Sequence, residues 1–243
     1  MRWYRGPEGD ERLWLEPSEI ETIMEDELRR ANLLPSDEEP VVQVERFLEA
    51  HLGADLDQYA DLGHDVLGVT EFRPGVPPRV LVNKDLTGSA MDADWVAPGI
   101  QGRWRATLAH EGTHILLHRA LFELNADQAS LFGPEASPPE AQHLMRCLKR
   151  EVAFGARVSD WREVQANRGM AALLMPRRIF LPVAKAEIRG RASTAGRLVA
   201  GSQVTLDVAR ALAQRFEVSG QAATIRLTTL GFVSEPGAAQ LAV

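Results

Sequence analysis

The sequence predicts an α+β fold, with several amphipathic helices gathered around a small sheet. Three observations carry that expectation. Apolar residues recur at helical spacing in residues 18–31 and again in 104–121. Two short runs, VLGVTEF and RVLVN, read as extended and flank the Pro-rich turn RPGVPP. The chain has 243 residues and is 45% hydrophobic, enough for one large domain or one domain with a small appendage.

Charge and cysteine usage narrow the class. The net charge is −7, and residues 1–60 hold 16 acids against 6 bases, so the acidity sits in the first quarter of the chain. That distribution argues against a nucleic-acid binder that uses its whole surface. A single cysteine, Cys147, allows no intrachain disulfide, which suits a reducing compartment and predicts a cytoplasmic protein. No apolar run approaches the roughly 20 residues of a membrane span, and the start MRWYRGPEGDERLWLEP lacks the apolar stretch of a signal peptide.

Taken in order, residues 18–31 predict an acidic surface helix, with Ser18 and Glu21 as a capping box and Ile20, Ile23, Met24 and Leu28 as its stripe. A charged turn at 35–40 leads to a second helix over 40–52, stopped by Gly53. Val66–Phe72 and Arg79–Asn83 are extended. Residues 84–102 read as a loop long enough to act as a lid, and 104–121 as the central helix. A loop over 125–139 precedes a helix over 140–154. A further helix starts near Asp160 and ends before Pro176. Basic residues from Arg177 to Arg197 follow, and the tail over 205–232 reads as two short helices joined at 217–219.

The central helix carries TLAHEGTHILLHR. His110 and His114 are four residues apart, which on an α-helix means about 40° of rotation and roughly 6 Å of rise, so both imidazoles can converge on one ion. Glu111 projects beside them, where a general base for a metal-activated water would stand. Two imidazoles and a third protein ligand would leave one position for that water, whose pKa falls to roughly 7 on zinc. By chance H-E-x-x-H appears on the order of once in a hundred chains of this length and composition, and chance copies usually lack a helical context. This one sits in a continuous helix pattern, with Leu108, Ile115 and Leu116 among its apolar positions. His118 continues the spacing, but it lies roughly 12 Å along the axis from His110, too far for one tetrahedron. It is expected to support the site or to pack.

The third ligand must come from elsewhere, and the best source is EVQAN at 163–167. Glu163 could face the first helix. It could equally complete a cap begun by Asp160, and spacing alone weighs the two readings evenly. Asn167, one turn on, is either a support for the ligands or a polar packing residue.

These blocks resemble the ImmA/IrrE family of zinc metallopeptidases. The resemblance is carried by RVLVN (79–83), RWRATLAHEGTHILLH (103–118) and EVQANRGMAALLMP (163–176), and by the tail FEVSGQAATIRLTTLGFV (216–233). It implies a zincin-like catalytic domain over 40–200 followed by a helix-turn-helix-like module over 201–243; the acidic residues 1–39, read above from charge and periodicity, are expected to form a helical extension ahead of them. It implies His110, His114 and Glu163 as ligands and Glu111 as catalytic base. Zinc is the expected ion, although two imidazoles and a carboxylate also accept Mn2+ or Fe2+. The implied substrate is a helix-turn-helix transcriptional repressor, cut to release stress-response or mobile-element genes.

Three further expectations can be tested structurally. Arg79–Asn83 would form an edge strand to which substrate adds by main-chain hydrogen bonds, with Val80 and Val82 at that surface; the alternative is that both valines fill the core. Cys147 is a buried thiol or, less simply, a rival third ligand. The tail allows an alternative function, a DNA-binding regulator with a vestigial metal site, in which Gln221, Thr224 and Arg226 would read bases. Gly220, Ala222 and Ala223 stand where base-reading side chains are needed, so packing or repressor docking is the expected role.

Overall fold

The computed structural model describes residues 2–5, 11–73, 75–91, 99–131, 143–148, 160–191 and 198–234. The N-terminal strands β1 (Arg2–Arg5) and β2 (Glu11–Trp14) form an antiparallel hairpin ahead of α1 (Pro17–Arg30). The start of α1 lies earlier than Ser18. Pro17 opens the first turn, and Glu16 and Glu19 make the reciprocal capping box. Its buried stripe is Ile20, Met24 and Leu28. The second helix is short: α2 (Val44–Arg46) runs into a π-helical turn, Phe47–His51, and Gly53 closes it at φ 64°.

Among the described residues the main sheet has four strands, in the order β3 (Asp55–Ala60), β5 (Arg79–Asn83), β4 (Val66–Phe72) and β6 (His143–Leu148). β3 and β5 are parallel; β4 is antiparallel to both β5 and β6. The expectation that Arg79–Asn83 is an edge strand is therefore corrected. β5 is interior, and Val80 and Val82 are fully buried core residues with no surface to offer a substrate. Asn83 ends that strand by capping α3 (Lys84–Ala90) through Asp85 N and by donating to the Val66 carbonyl at 2.9 Å.

Parts of both predicted loops are helical: Lys84–Ala90 forms a helix, and α4 runs from Ile100 to Leu131. Residues 92–98 and 132–142 lie outside the described residues. The helix expected over 140–154 is corrected as well: His143–Leu148 is a strand, hydrogen-bonded along β4. An apolar run of that length suits either state, and pairing with the free side of β4 decides it. The Cys147 side chain is outside the described residues.

The helix opened by Asp160 is α5 (Trp161–Leu174), whose first-turn amide Arg162 N donates to the Asp160 carboxylate at 2.9 Å. The basic stretch is mostly helix, α6 (Arg177–Arg191), with Ile179, Phe180, Val183, Ala184 and Ile188 turned inward. Short parallel strands β7 (Leu198–Val199) and β8 (Val233–Ser234) bracket α7 (Gln203–Phe216) and α8 (Gly220–Thr229). Ser202 and Ser219 cap the two helices, and Glu217, at φ 52°, makes the turn between them. Arg226 of α8 is 2% exposed and donates to Glu21 of α1 and to the Met175 carbonyl. It locks the tail to the N-terminal helix and has no free guanidinium for a base edge.

α4 lies across the sheet, α5 packs on α4, and α1 packs on α5. The α4–α5 crossing is close because Gly169 faces Thr113; a Cβ at Gly169 would sit 2.3 Å from Thr113 Cγ2. That approach brings the first turn of α5 over the middle of α4. No described helix is long and apolar enough to cross a membrane.

Candidate metal centre

The middle of α4 is polar where a packed helix should be apolar. His110, Glu111, His114 and His118 are all fully buried. Groups of this kind are costly to bury unless each is paired or holds an ion. One helical turn separates each histidine from the next, and the rings of His110 and His114 meet edge to face with centroids 4.7 Å apart.

Glu163 turns its carboxylate to these rings and not to the cap of its own helix. Its Oε2 is 3.0 Å from His110 Nε2, and its Oε1 is 3.3 Å from His114 Nε2; the two Nε2 atoms are 3.0 Å from each other. Among the described residues these three form the group able to hold a metal. The triangle fits one. Ligand atoms about 2.0–2.2 Å from a tetrahedral zinc lie about 3.3–3.6 Å apart, so the edges need open by only a few tenths of an ångström. Two facing Nε2 atoms and a carboxylate also form a donor set that a cation satisfies better than a shared proton does.

For Glu163 and His114 the surroundings favour the ligating forms, a carboxylate and a neutral imidazole. Burial pushes the Glu163 carboxyl up, but hydrogen bonds and charge from His110 and His114 outweigh it and hold it below the usual carboxylate range. Burial lowers His114 and takes His118 well below its ordinary value. His110 is raised: burial opposes its charge, and Glu163, Glu111 and a hydrogen bond with Asn167 prevail. Asn167 thus stands beside His110. Burial pushes the Glu111 carboxyl up to about 7, against the charge of His110 and the hydrogen bond from Thr70.

Glu111 is held by two residues that sequence reasoning missed, both on β4. Thr70 Oγ1 donates to Glu111 Oε2 at 2.5 Å, and the other oxygen, Oε1, has no hydrogen-bond partner among the described residues. Gly68, two residues earlier on the same face of the strand, makes room; a Cβ there would sit 2.7 Å from Glu111 Oε1. The run VLGVTEF carries a faint trace of this, a glycine and a threonine spaced by two in an otherwise buried strand. Thr70→Val should lower the turnover of any reaction that uses Glu111 by about 10-fold, through loss of its orientation, with metal content unchanged. Steady-state kinetics and metal analysis of the variant would check this; an unchanged turnover would mean that α4 alone orients Glu111.

His118 stands apart from the triangle. Its Nδ1 meets His114 Nδ1 at 2.9 Å, its Nε2 meets Gln165 Oε1 at 3.2 Å, and Trp161 closes edge-on over its ring.

The model of peptidase family M78, the IrrE N-terminal-like domain, matches residues 101–228, more than half of the chain. The chain belongs to this peptidase family. Its match takes in α4, α5 and the tail helices, and so all three residues of the metal triangle. The fold of this M78 member is accordingly the expected α+β, zincin-like one. No curated protein matches the chain.

Proposed function

We propose that this M78 member is a zinc-dependent endopeptidase of the cytoplasm that cuts a helix-turn-helix transcriptional repressor. The observation that carries the enzymatic part is the convergence of His110 Nε2, His114 Nε2 and a Glu163 oxygen, with the free oxygen of Glu111 beside them. When bound, zinc supplies Lewis acidity toward a peptide carbonyl and toward water. The chain's own residues do the rest. Glu111 Oε1 takes the proton of the attacking water and returns it to the leaving amine nitrogen, a task suited to a carboxyl raised toward neutral pH by burial. Thr70 holds the other oxygen so that Oε1 keeps its direction. Burial of all four groups lowers the local dielectric and strengthens each of these interactions.

The substrate class rests on the resemblance to ImmA/IrrE peptidases, and the buried, paired Arg226 favours a packing role for the tail over base reading. The test is cleavage of helix-turn-helix repressors encoded near the gene, read by mass spectrometry. A single cut is expected, lost when a chelator strips the metal and regained on adding zinc. Cleavage that survives full metal removal would overturn the proposal.

A further inference from the structure

We propose that Gln165 is a positioning residue of the metal centre: acting through His118, it fixes which nitrogen of His114 carries a proton, and it anchors that choice to the N-terminal hairpin. The inference rests on the metal-site reading above and adds to it a line of four buried groups.

The line begins at the hairpin. Gln165 Nε2 donates to the Leu13 carbonyl of β2 at 2.9 Å. A carbonyl can only accept, so this bond fixes the orientation of the amide and turns Oε1 to His118 Nε2, 3.2 Å away. An amide oxygen also can only accept, so His118 Nε2 must carry the proton. Its Nδ1, 2.9 Å from His114 Nδ1, then offers a lone pair, and His114 Nδ1 must donate. A neutral His114 protonated on Nδ1 leaves Nε2 bare, and Nε2 is the atom that faces His110 and Glu163. The polarity therefore runs in one direction from Leu13 to the metal position. A proton on His118 Nδ1 would reverse it, placing the His114 proton on Nε2, where it blocks ligation.

Water cannot repair a break in this line, because His114 and His118 are fully buried and Gln165 is 2% exposed. An imidazole ligand is ordinarily oriented by a carboxylate or carbonyl on its other nitrogen. Here that partner is a second imidazole, which needs its own orienting acceptor. Gln165 supplies it, and the strand that holds Gln165 lies outside the span matched by the family model.

The test uses the full chain with Gln165→Glu and Gln165→Met. Both substitutions remove the bond to Leu13, but only Glu keeps an acceptor for His118 Nε2. Zinc affinity, measured by competition with a chromophoric chelator and corrected for folded fraction, should stay within about threefold of the parent in Gln165→Glu and fall about 10–100-fold in Gln165→Met. Equal affinity in all three proteins, or an equal loss in both variants, would overturn the proposal and leave Gln165 as an anchor for the hairpin. A parent that binds no zinc would overturn the metal-site reading itself, a separate result. A second measurement needs no variant: two-bond 1H–15N spectra of the zinc-loaded parent should show His118 protonated on Nε2, and the Nδ1–H tautomer would refute the assignment.

Discussion

Glu111→Gln is expected to abolish cleavage and to leave the metal content unchanged. The substitution keeps the shape of the side chain and an oxygen for Thr70 to donate to, so the wall of the site formed by β4 is preserved. It removes the one property the proposed reaction needs, an oxygen that can accept a proton near neutral pH. General acid–base groups of this kind contribute about 10²–10⁴-fold, and a base that both takes and returns the proton should fall at the upper end, so a drop of about 10³-fold or more in kcat is expected. Metal content should equal that of the parent, because Glu111 stands outside the triangle of His110, His114 and Glu163. Thermal stability should hold or rise, because a carboxyl whose ionisation is disfavoured by burial is replaced by a neutral amide. Residual activity within tenfold of the parent would remove Glu111 from the mechanism.

What was legible in the sequence depended on whether the physical signal was local. His110 and His114 were legible because helical geometry alone sets their relation. Val66–Phe72 and Arg79–Asn83 were legible to the residue because compact apolar runs end at polar or turn-forming neighbours. β3 was missed because DLDQYA is a polar edge strand with one buried residue, Ala60, and so has no alternation to read. β6 was read as helix because the partner that makes it a strand, β4, lies far away in sequence. In α6 the inward apolar stripe is interspersed with basic residues and holds Pro182, so its helical period is weak in the sequence.

The candidate site divides in the same way. For Glu163, spacing permitted a cap or a ligand, and the packing of Gly169 on Thr113 brings its carboxylate to the His110 and His114 rings by setting how near α5 comes to α4. Thr70 and Gln165 are single polar residues whose partners stand 41 and 47 positions away, a separation that no motif encodes. A sequence motif names the atoms that meet an ion, whereas the residues that aim those atoms are chosen by the fold.

Glu163→Ala is the variant that should lose both metal and cleavage, and so complements Glu111→Gln. With the carboxylate gone, His110 Nε2 and His114 Nε2 still face each other at 3.0 Å, but two neutral imidazoles neither neutralise a divalent cation nor complete three protein ligands. Loss of an outer partner typically costs 10–100-fold in metal affinity; loss of a ligand should exceed that, so zinc binding should weaken by more than about 100-fold in chelator competition. Glu163→Gln separates charge from contact, because it retains an oxygen without the negative charge, and it should fall between Ala and the parent. Full occupancy in Glu163→Ala would instead mean that another ligand completes the set. Cys147 is the first to test, because β6 pairs it with Gly68, the residue that borders Glu111. Combining Glu163→Ala with Cys147→Ser should then empty a site that Glu163→Ala alone had left filled. If zinc is already lost in Glu163→Ala, Cys147→Ser alone should bind as the parent does, and the carboxylate is the third ligand.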